Sequence, residues 1–232
     1  MSRGPAGVLW DMDGTVVDTE LYYIESLTSI VAAHGGVLGE EDHHAVVGAN
    51  LWDMATIAIR AGARRPAAEI VEEIVAEVAL RLRDGIPWRP GALDLLAALR
   101  TSRVPTALVT MAFRSSAVEV VRGIPFPAFD VVVTGEDVSR GKPDPEAYLL
   151  AAALLGVDVA ECVVIEDSPP GVAAGVAAGA SVVAVPCYVD LPASEAYTTW
   201  DSLVGKDHAA LVAEFRGRRS PDRPDSADRL PA

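Results

Sequence analysis

The sequence predicts an α/β protein: a doubly wound, Rossmann-like parallel sheet with an inserted α-helical cap domain. Three observations predict it. Five short runs rich in Val, Ile and Leu lack the alternation of half-exposed strands, helix-like stretches fit between most of them, and about seventy helix-only residues follow the first run.

The runs are Gly7–Asp11, Thr106–Thr110, Asp130–Thr134, Cys162–Glu166 and Ser181–Val185. Unbroken apolar character suits strands buried on both faces of a parallel sheet. Between them, Ala92–Arg100, Ser115–Arg122, Pro145–Leu155 and Gly171–Ala178 read as helices. In the long first gap the helix candidates are Thr19–Ala33, Glu41–Val47, Leu51–Ala61 and Ala67–Arg83. Within the last of these, Ile70, Ile74, Val78 and Leu82 recur at helical spacing and mark one buried stripe. A parallel crossover needs only a dozen or so residues, so the excess reads as an inserted domain. Pro87, Pro90 and Gly91 punctuate the return to the core. The predicted division is 1–17 and 88–215 for the core, 18–87 for the cap and 216–232 for a charged, proline-bearing, disordered tail.

Half of the residues are hydrophobic, which allows a sizeable core, and the net charge is −14. Such a surface repels nucleic acid and anionic membranes, so neither is expected as a partner. No apolar run reaches the length of a membrane helix, and the opening residues do not resemble a signal peptide. Cys162 and Cys187 are isolated in or beside apolar runs and read as reduced thiols, with a disulfide the lesser alternative. A cytoplasmic protein is expected.

Ligands of open α/β sheets bind at the carboxyl ends of the strands. The ends here are Asp11-Met-Asp13-Gly-Thr, Thr110-Met111-Ala, Thr134-Gly-Glu-Asp137, Glu166-Asp167-Ser168 and Pro186. Carboxylates crowded on one edge repel one another, and a hard cation with oxygen ligands, most simply Mg²⁺, resolves the crowding. Asp-x-Asp-Gly alone would also suit a calcium loop, but that template has its glycine at position six and follows a helix. Lys142, in Gly141-Lys142-Pro-Asp-Pro, is one of only two lysines beside seventeen arginines. Its compact ammonium suits a point contact to a phosphoryl oxygen, whereas Asp144 and Pro145 alone could be helix punctuation. Ser168 and the following prolines could open a helix, which leaves the two adjacent acids Glu166 and Asp167 without a reason unless a cation joins them.

Asp11-Met-Asp13-Gly-Thr-Val-Val-Asp-Thr-Glu, Thr110, Gly141-Lys142-Pro-Asp-Pro and Glu166-Asp167-Ser resemble, in order, the four motifs of the haloacid dehalogenase-like hydrolase superfamily. The likeness spans residues 7 to about 186, and the insert resembles the helical cap of the β-phosphoglucomutase-like and sugar-phosphatase branch. The resemblance implies an Mg²⁺-dependent phosphatase of a small phosphorylated metabolite, such as a sugar phosphate. Asp11 would be the nucleophile and Asp13 the acid/base. Thr110, Met111 and Lys142 would hold the phosphoryl group, with Lys142 also neutralising Asp11. Asp11, Asp13, Asp167 and Glu166 would gather the metal. Capped members are expected to be monomers.

Two departures bear on function. After Thr110 the family often has Ser or Asn, while Met111-Ala112 offers only backbone; Arg114, Ser115 or Ser116 could supply another contact. The cap segment Val47-Gly48-Ala49-Asn50-Leu51-Trp52 lacks the basic residue with which related mutases grip a second phosphate, which favours a phosphatase over a mutase. Arg60, Arg64 or Arg65 could still provide that charge. A non-catalytic phospho-ligand module is the remaining rival, although every catalytic position is filled. Glu20, Tyr23, Asn50 and Trp52 are the cap candidates for substrate contact, although cap–core packing is the expected job of Trp52 and Trp88. His43 and His44, adjacent on a helix, would point about 100° apart and make a poor metal pair.

Overall fold

The structure, a computed structural model, describes residues 4–46 and 49–218. Its centre is a six-stranded sheet of β1 (Gly7–Trp10), β2 (Thr106–Val109), β3 (Val131–Val133), β4 (Cys162–Glu166), β5 (Ser181–Ala184) and β6 (Thr198–Thr199). All pairings are parallel, in the order β3-β2-β1-β4-β5-β6. The first five are the predicted apolar runs. β1, β2, β4 and β5 are buried along their whole length, as strands covered on both faces should be.

β1 lies mid-sheet, with β2 on one side and β4 on the other. Connections therefore run outward in opposite directions from β1, which opens a crevice beyond its carboxyl end. The register sets Trp10 beside both Leu108 and Ile165, so the residues that follow β1 and β4 emerge at one level.

Four helices lie between β1 and the rest of the core: α1 (Glu20–Ala33), α2 (Glu40–Val46), α3 (Leu51–Arg60) and α4 (Ala67–Asp84). The stripe read in α4 is real, since Ile70, Ile74, Val78 and Leu82 are each at most 2% exposed. These side chains join one apolar cluster with Leu27 and Ile30 of α1, Met54 and Ile57 of α3, and Val8, Trp10 and Val16 of the sheet side. The two segments joining insert and sheet run side by side. Val17 bridges Trp88, the Asp18 N–H donates to the Pro87 carbonyl at 2.7 Å, and the Arg89 N–H donates to that of Val16 at 2.9 Å.

The core helices are α5 (Ala92–Thr101), α6 (Arg114–Gly123), α7 (Glu146–Leu155), α8 (Pro169–Ala177) and α9 (His208–Arg218). Ser168 caps α8 as expected, its hydroxyl accepting from the Gly171 N–H at 3.2 Å, and the two prolines open the helix. Pro145 is not the first residue of α7. It precedes the helix, and Asp144 accepts from the Glu146 N–H at 3.0 Å.

Two features differ from the expectation. β6 has only two residues, too short for a periodic signal, yet it pairs with Val183 and Ala184 of β5. α9 buries Leu211 and Phe215 and continues through Arg218, so the tail expected from residue 216 starts inside a helix. Its apolar residues all precede Arg216, so its last three residues read as part of the charged stretch; 219–232 lie outside the described residues. Cys162 is buried and Cys187 half-buried, and both are free thiols. Among the described residues no helix is long and apolar enough to cross a membrane.

Because Ile74 is fully buried in the cluster shared by insert and sheet, Ile74→Ala should cost about 2–5 kcal/mol of stability, read as a lower urea midpoint at unchanged slope. An unaltered midpoint would mean that α4 is not packed as described.

Candidate active site

The loop after β1 carries the two aspartates. The Asp11 N–H donates to the Ile165 carbonyl at 3.0 Å, which ties the end of β1 to β4 and sets Asp11 beside the residues that follow β4. Gly14 then turns with φ at +84°, a conformation that favours glycine. Space matters there as much as angle, since a Cβ on Gly14 would stand 2.0 Å from Oδ2 of Asp167. The glycine of Asp-x-Asp-Gly thus brings two acidic loops into contact. Gly171 does the same for Glu166, whose Oε1 would lie 1.6 Å from a Cβ there.

Lys142 organises the cluster. Its Nζ donates to Asp11 Oδ1 at 2.6 Å, Glu166 Oε1 at 2.7 Å and the Val109 carbonyl at 3.0 Å. Three donors meet three acceptors, so a buried ammonium is fully satisfied. The Tyr148 hydroxyl also donates to Glu166 Oε1, at 2.9 Å, and its ring lies 5.0 Å from Nζ. Glu166 Oε2 accepts from the backbone of Asp167 and Ser168 and from the Ser168 hydroxyl. With five donors on its two oxygens, Glu166 serves the protein first. It holds Lys142 and shapes the turn that presents Asp167.

The electrostatics follow from burying so much charge. Desolvation opposes the ammonium, yet Asp11 and Glu166 outweigh it and hold the Lys142 pKa well above the usual lysine value. Burial, and next the Glu166 charge, push Asp11 well above the usual carboxylate range against the pull of Lys142. Asp167 is pushed up to about 7, chiefly by burial and then by Glu166. Asp13 is also raised by burial, although two threonine hydroxyls pull it back. Thr19 donates to its Oδ1 at 2.5 Å and Thr110 to its Oδ2 at 3.2 Å.

Thr19 precedes α1 in the N-cap position, yet its hydroxyl caps nothing in that helix. A cap of this kind contributes about 1 kcal/mol, and here the hydroxyl holds Asp13 instead. Thr110 accepts from the Ala112 N–H at 2.9 Å while donating to Asp13, so its only proton is committed to a carboxylate.

Asp11, Glu166 and Asp167 each offer an oxygen within 4.8 Å of the others. Three converging carboxylates, two of them with raised pKa, are the donor set of a hard divalent cation, and the residues fit one. Since the Glu166 oxygens are engaged by protein donors, Asp11 and Asp167 are the better placed to ligate.

The cluster opens into a cleft of about 660 Å³. Asp11, Asp13, Thr110, Met111, Lys142 and Asp167 line it, as do all four cap candidates, Glu20, Tyr23, Asn50 and Trp52. Glu166 sits behind the wall. Two cap residues behave differently from the expectation. Trp52 is 59% exposed and faces the cleft, so cap–core packing is not its role. Asn50 caps α3, its Oδ1 accepting from the N–H groups of Trp52 and Asp53 and its Nδ2 donating to Asp53 at 2.6 Å. Arg114 is paired with Asp137, and Arg114, Ser115 and Ser116 do not line the cleft. Arg60, Arg64 and Arg65 do not line it either; Arg60 pairs with Asp42, and Arg65 with Glu69 and Glu73.

Sequence reasoning missed the supporting side chains. Thr15 donates to Asp167 at 3.3 Å, and Phe113, Tyr188 and Val189 line the cleft beyond it. The carboxyl-end rule could have found Tyr188 and Val189, which follow β5 and the Pro186-Cys187 pair. Nothing in the sequence distinguishes Tyr148 from an ordinary helix residue.

Comparison with known proteins agrees with the geometry. A family model described as haloacid dehalogenase-like hydrolase matches residues 5–179. Hexitol phosphatase A of Escherichia coli is 39% identical over 191 residues, covering 80% of this chain and 85% of its own. A phosphorylated carbohydrates phosphatase of Thermotoga maritima is 33% identical over 174 residues, covering 74% of this chain and 81% of its own. The crystal structure of a CbbY mutant from Rhodobacter sphaeroides, in complex with xylulose-(1,5)bisphosphate, superimposes with a TM-score of 0.78 at 24% identity. It covers 89% of this chain and 99% of its own, and at that identity it bears on the fold alone. With four motifs at the sheet edge, a matching family model and phosphatase relatives, the chain belongs to the haloacid dehalogenase-like hydrolase family, as a phosphoric monoester hydrolase.

Proposed function

We propose that the protein is an Mg²⁺-dependent phosphatase of a small phosphorylated carbohydrate that works through an aspartyl-phosphate on Asp11. One observation carries this reading. A buried lysine grips Asp11 and Glu166 at the floor of a cleft, where Asp167 can share an ion with Asp11. The carbohydrate comes from the printed activities of the relatives, hexitol phosphatase A and the phosphorylated carbohydrates phosphatase.

In this mechanism Asp11 attacks phosphorus and the bond to the leaving oxygen breaks. Asp13, whose raised pKa favours the acid form, gives that oxygen a proton. As a carboxylate it then takes a proton from the water that hydrolyses the acyl phosphate. Lys142 offsets charge on Asp11 and the phosphoryl oxygens, and Thr110 and the backbone around Met111 border the same space. Asp11 and Asp167 would hold Mg²⁺ with the Asp13 carbonyl, Glu166 standing beside them, and the ion would neutralise phosphoryl charge. Helices α1–α4, residues 18–87, act as the cap that closes the cleft over residues 1–17 and 88–215.

Hydrolysis is favoured over a mutase reaction by the cleft itself. Among its described lining residues Lys142 is the one basic side chain, which leaves no cation for a second phosphate.

Turnover of p-nitrophenyl phosphate should require Mg²⁺ and vanish with EDTA; tight binding of phosphate compounds without any hydrolysis would make the protein a binding module. Asp11→Asn should lower kcat by about a thousandfold or more, and Asp13→Asn by about a hundredfold or more. Near-full turnover by Asp13→Asn would remove the acid/base role. Gly14→Ala should cost at least about a hundredfold in kcat/KM through displacement of Asp167, with only about 1–2 kcal/mol of lost stability. Because Asp167 must lose a proton held up to about pH 7, the Mg²⁺ activation constant should rise as the pH falls from about 8 to about 6. A constant unchanged over that range would place the ion elsewhere.

A further inference from the structure

The cleft has a chemistry of its own beside the reacting cluster. Its lining also carries Glu20 and Glu136, with the aromatic side chains of Tyr23, Trp52, Phe113 and Tyr188. Glu136 is exposed in the short turn Gly135–Asp137 after β3, and one of its oxygens accepts from the Arg114 N–H at 2.6 Å. The Arg114 guanidinium does not answer that charge, because it is paired with Asp137 at 2.5 Å. Lys142 cannot reach outward either, with all three of its donors committed at the floor. Carboxylates accept hydrogen bonds from hydroxyls, and aromatic faces pack on the C–H faces of a polyol. The same wall repels a carboxylate or second phosphate on the substrate, and the rejection costs the enzyme no special contact.

We propose that this wall, with Glu136 as its specificity-determining residue, selects phosphate monoesters whose remaining part is hydroxyl-rich and carries no negative charge. The inference rests on the phosphatase reading and adds to it a rule about the leaving group. Glu136 acts on the far end of the substrate and takes no part in bond breaking.

The test compares kcat/KM for two substrates of equal length, glucitol 6-phosphate and gluconate 6-phosphate, which differ by a hydroxymethyl against a carboxylate. The wild-type enzyme should prefer the neutral compound by about tenfold or more, and the preference should narrow as ionic strength rises from about 0.02 M to about 0.5 M. Glu136→Gln keeps an acceptor for the Arg114 N–H, and should cut the preference several-fold by raising turnover of the anionic compound. Glu136→Lys should cut it further. Asp201→Asn, an exposed acid outside the cleft, should leave the ratio as it was. If neither sugar acid nor polyol is turned over, p-nitrophenyl phosphate and 4-carboxyphenyl phosphate supply the same ratio across the same variants. Equal turnover of neutral and anionic partners, or a preference indifferent to Glu136→Gln and Glu136→Lys, overturns the proposal while leaving the phosphatase intact. Loss of Mg²⁺-dependent turnover on every compound overturns the phosphatase reading and takes the proposal with it.

Discussion

The site depends on a buried ammonium shared by two carboxylates. Lys142 between Asp11 and Glu166 is costly to desolvate, and so is each acid. The cluster persists because every proton of the ammonium has an acceptor and both Glu166 oxygens are filled. Other features serve that arrangement. The parallel sheet brings the ends of β1 and β4 level, Gly14 and Gly171 surrender their side chains so that carboxylates can lie against the backbone, and Tyr148 takes up the last lone pair. Removing one partner would leave an uncompensated charge in a dry place, which is why these positions behave as a unit.

A second constraint works through the acid next door. Asp13 is gripped by a threonine from the entry to α1 and by another from the end of β2. The hydroxyls favour its charged form while burial favours the neutral one, and burial prevails. Thr19 gives up a helix-capping role to take part. A local cap is given up for a grip on a buried carboxylate.

Much of this could be read from residues alone, for identifiable reasons. Strands buried on both faces announce themselves as apolar runs, and the chemistry-bearing residues stand at their ends because the sheet leaves nowhere else for them to converge. The α4 stripe is visible because four apolar residues spaced four apart, from Ile70 to Leu82, leave little ambiguity. What escaped detection was either short or shared. β6 spans two residues, and α9 merges into a stretch whose charge resembles that of a disordered end. Thr19, Thr15 and Tyr148 are ordinary residues until folding sets their hydroxyls against acids. Trp52 and Asn50 show the limit from the other side: burial and capping are decided by neighbours that no local pattern names. The punctuating Pro87 falls in a segment paired with Asp18, whose N–H donates to its carbonyl.

The chain passes between sheet and insert only twice, along the paired segments Val16–Asp18 and Pro87–Arg89, and the oil on either side of them is continuous. Met12, Val16 and Val17 lie wholly buried in the cluster that also holds Leu27, Ile30 and Ile74. The floor of the loop after β1 and the interior of the insert therefore share one pool of cohesion. The insert cannot melt on its own without wetting the underside of the very residues it covers, so the molecule loses its shape and its chemistry together.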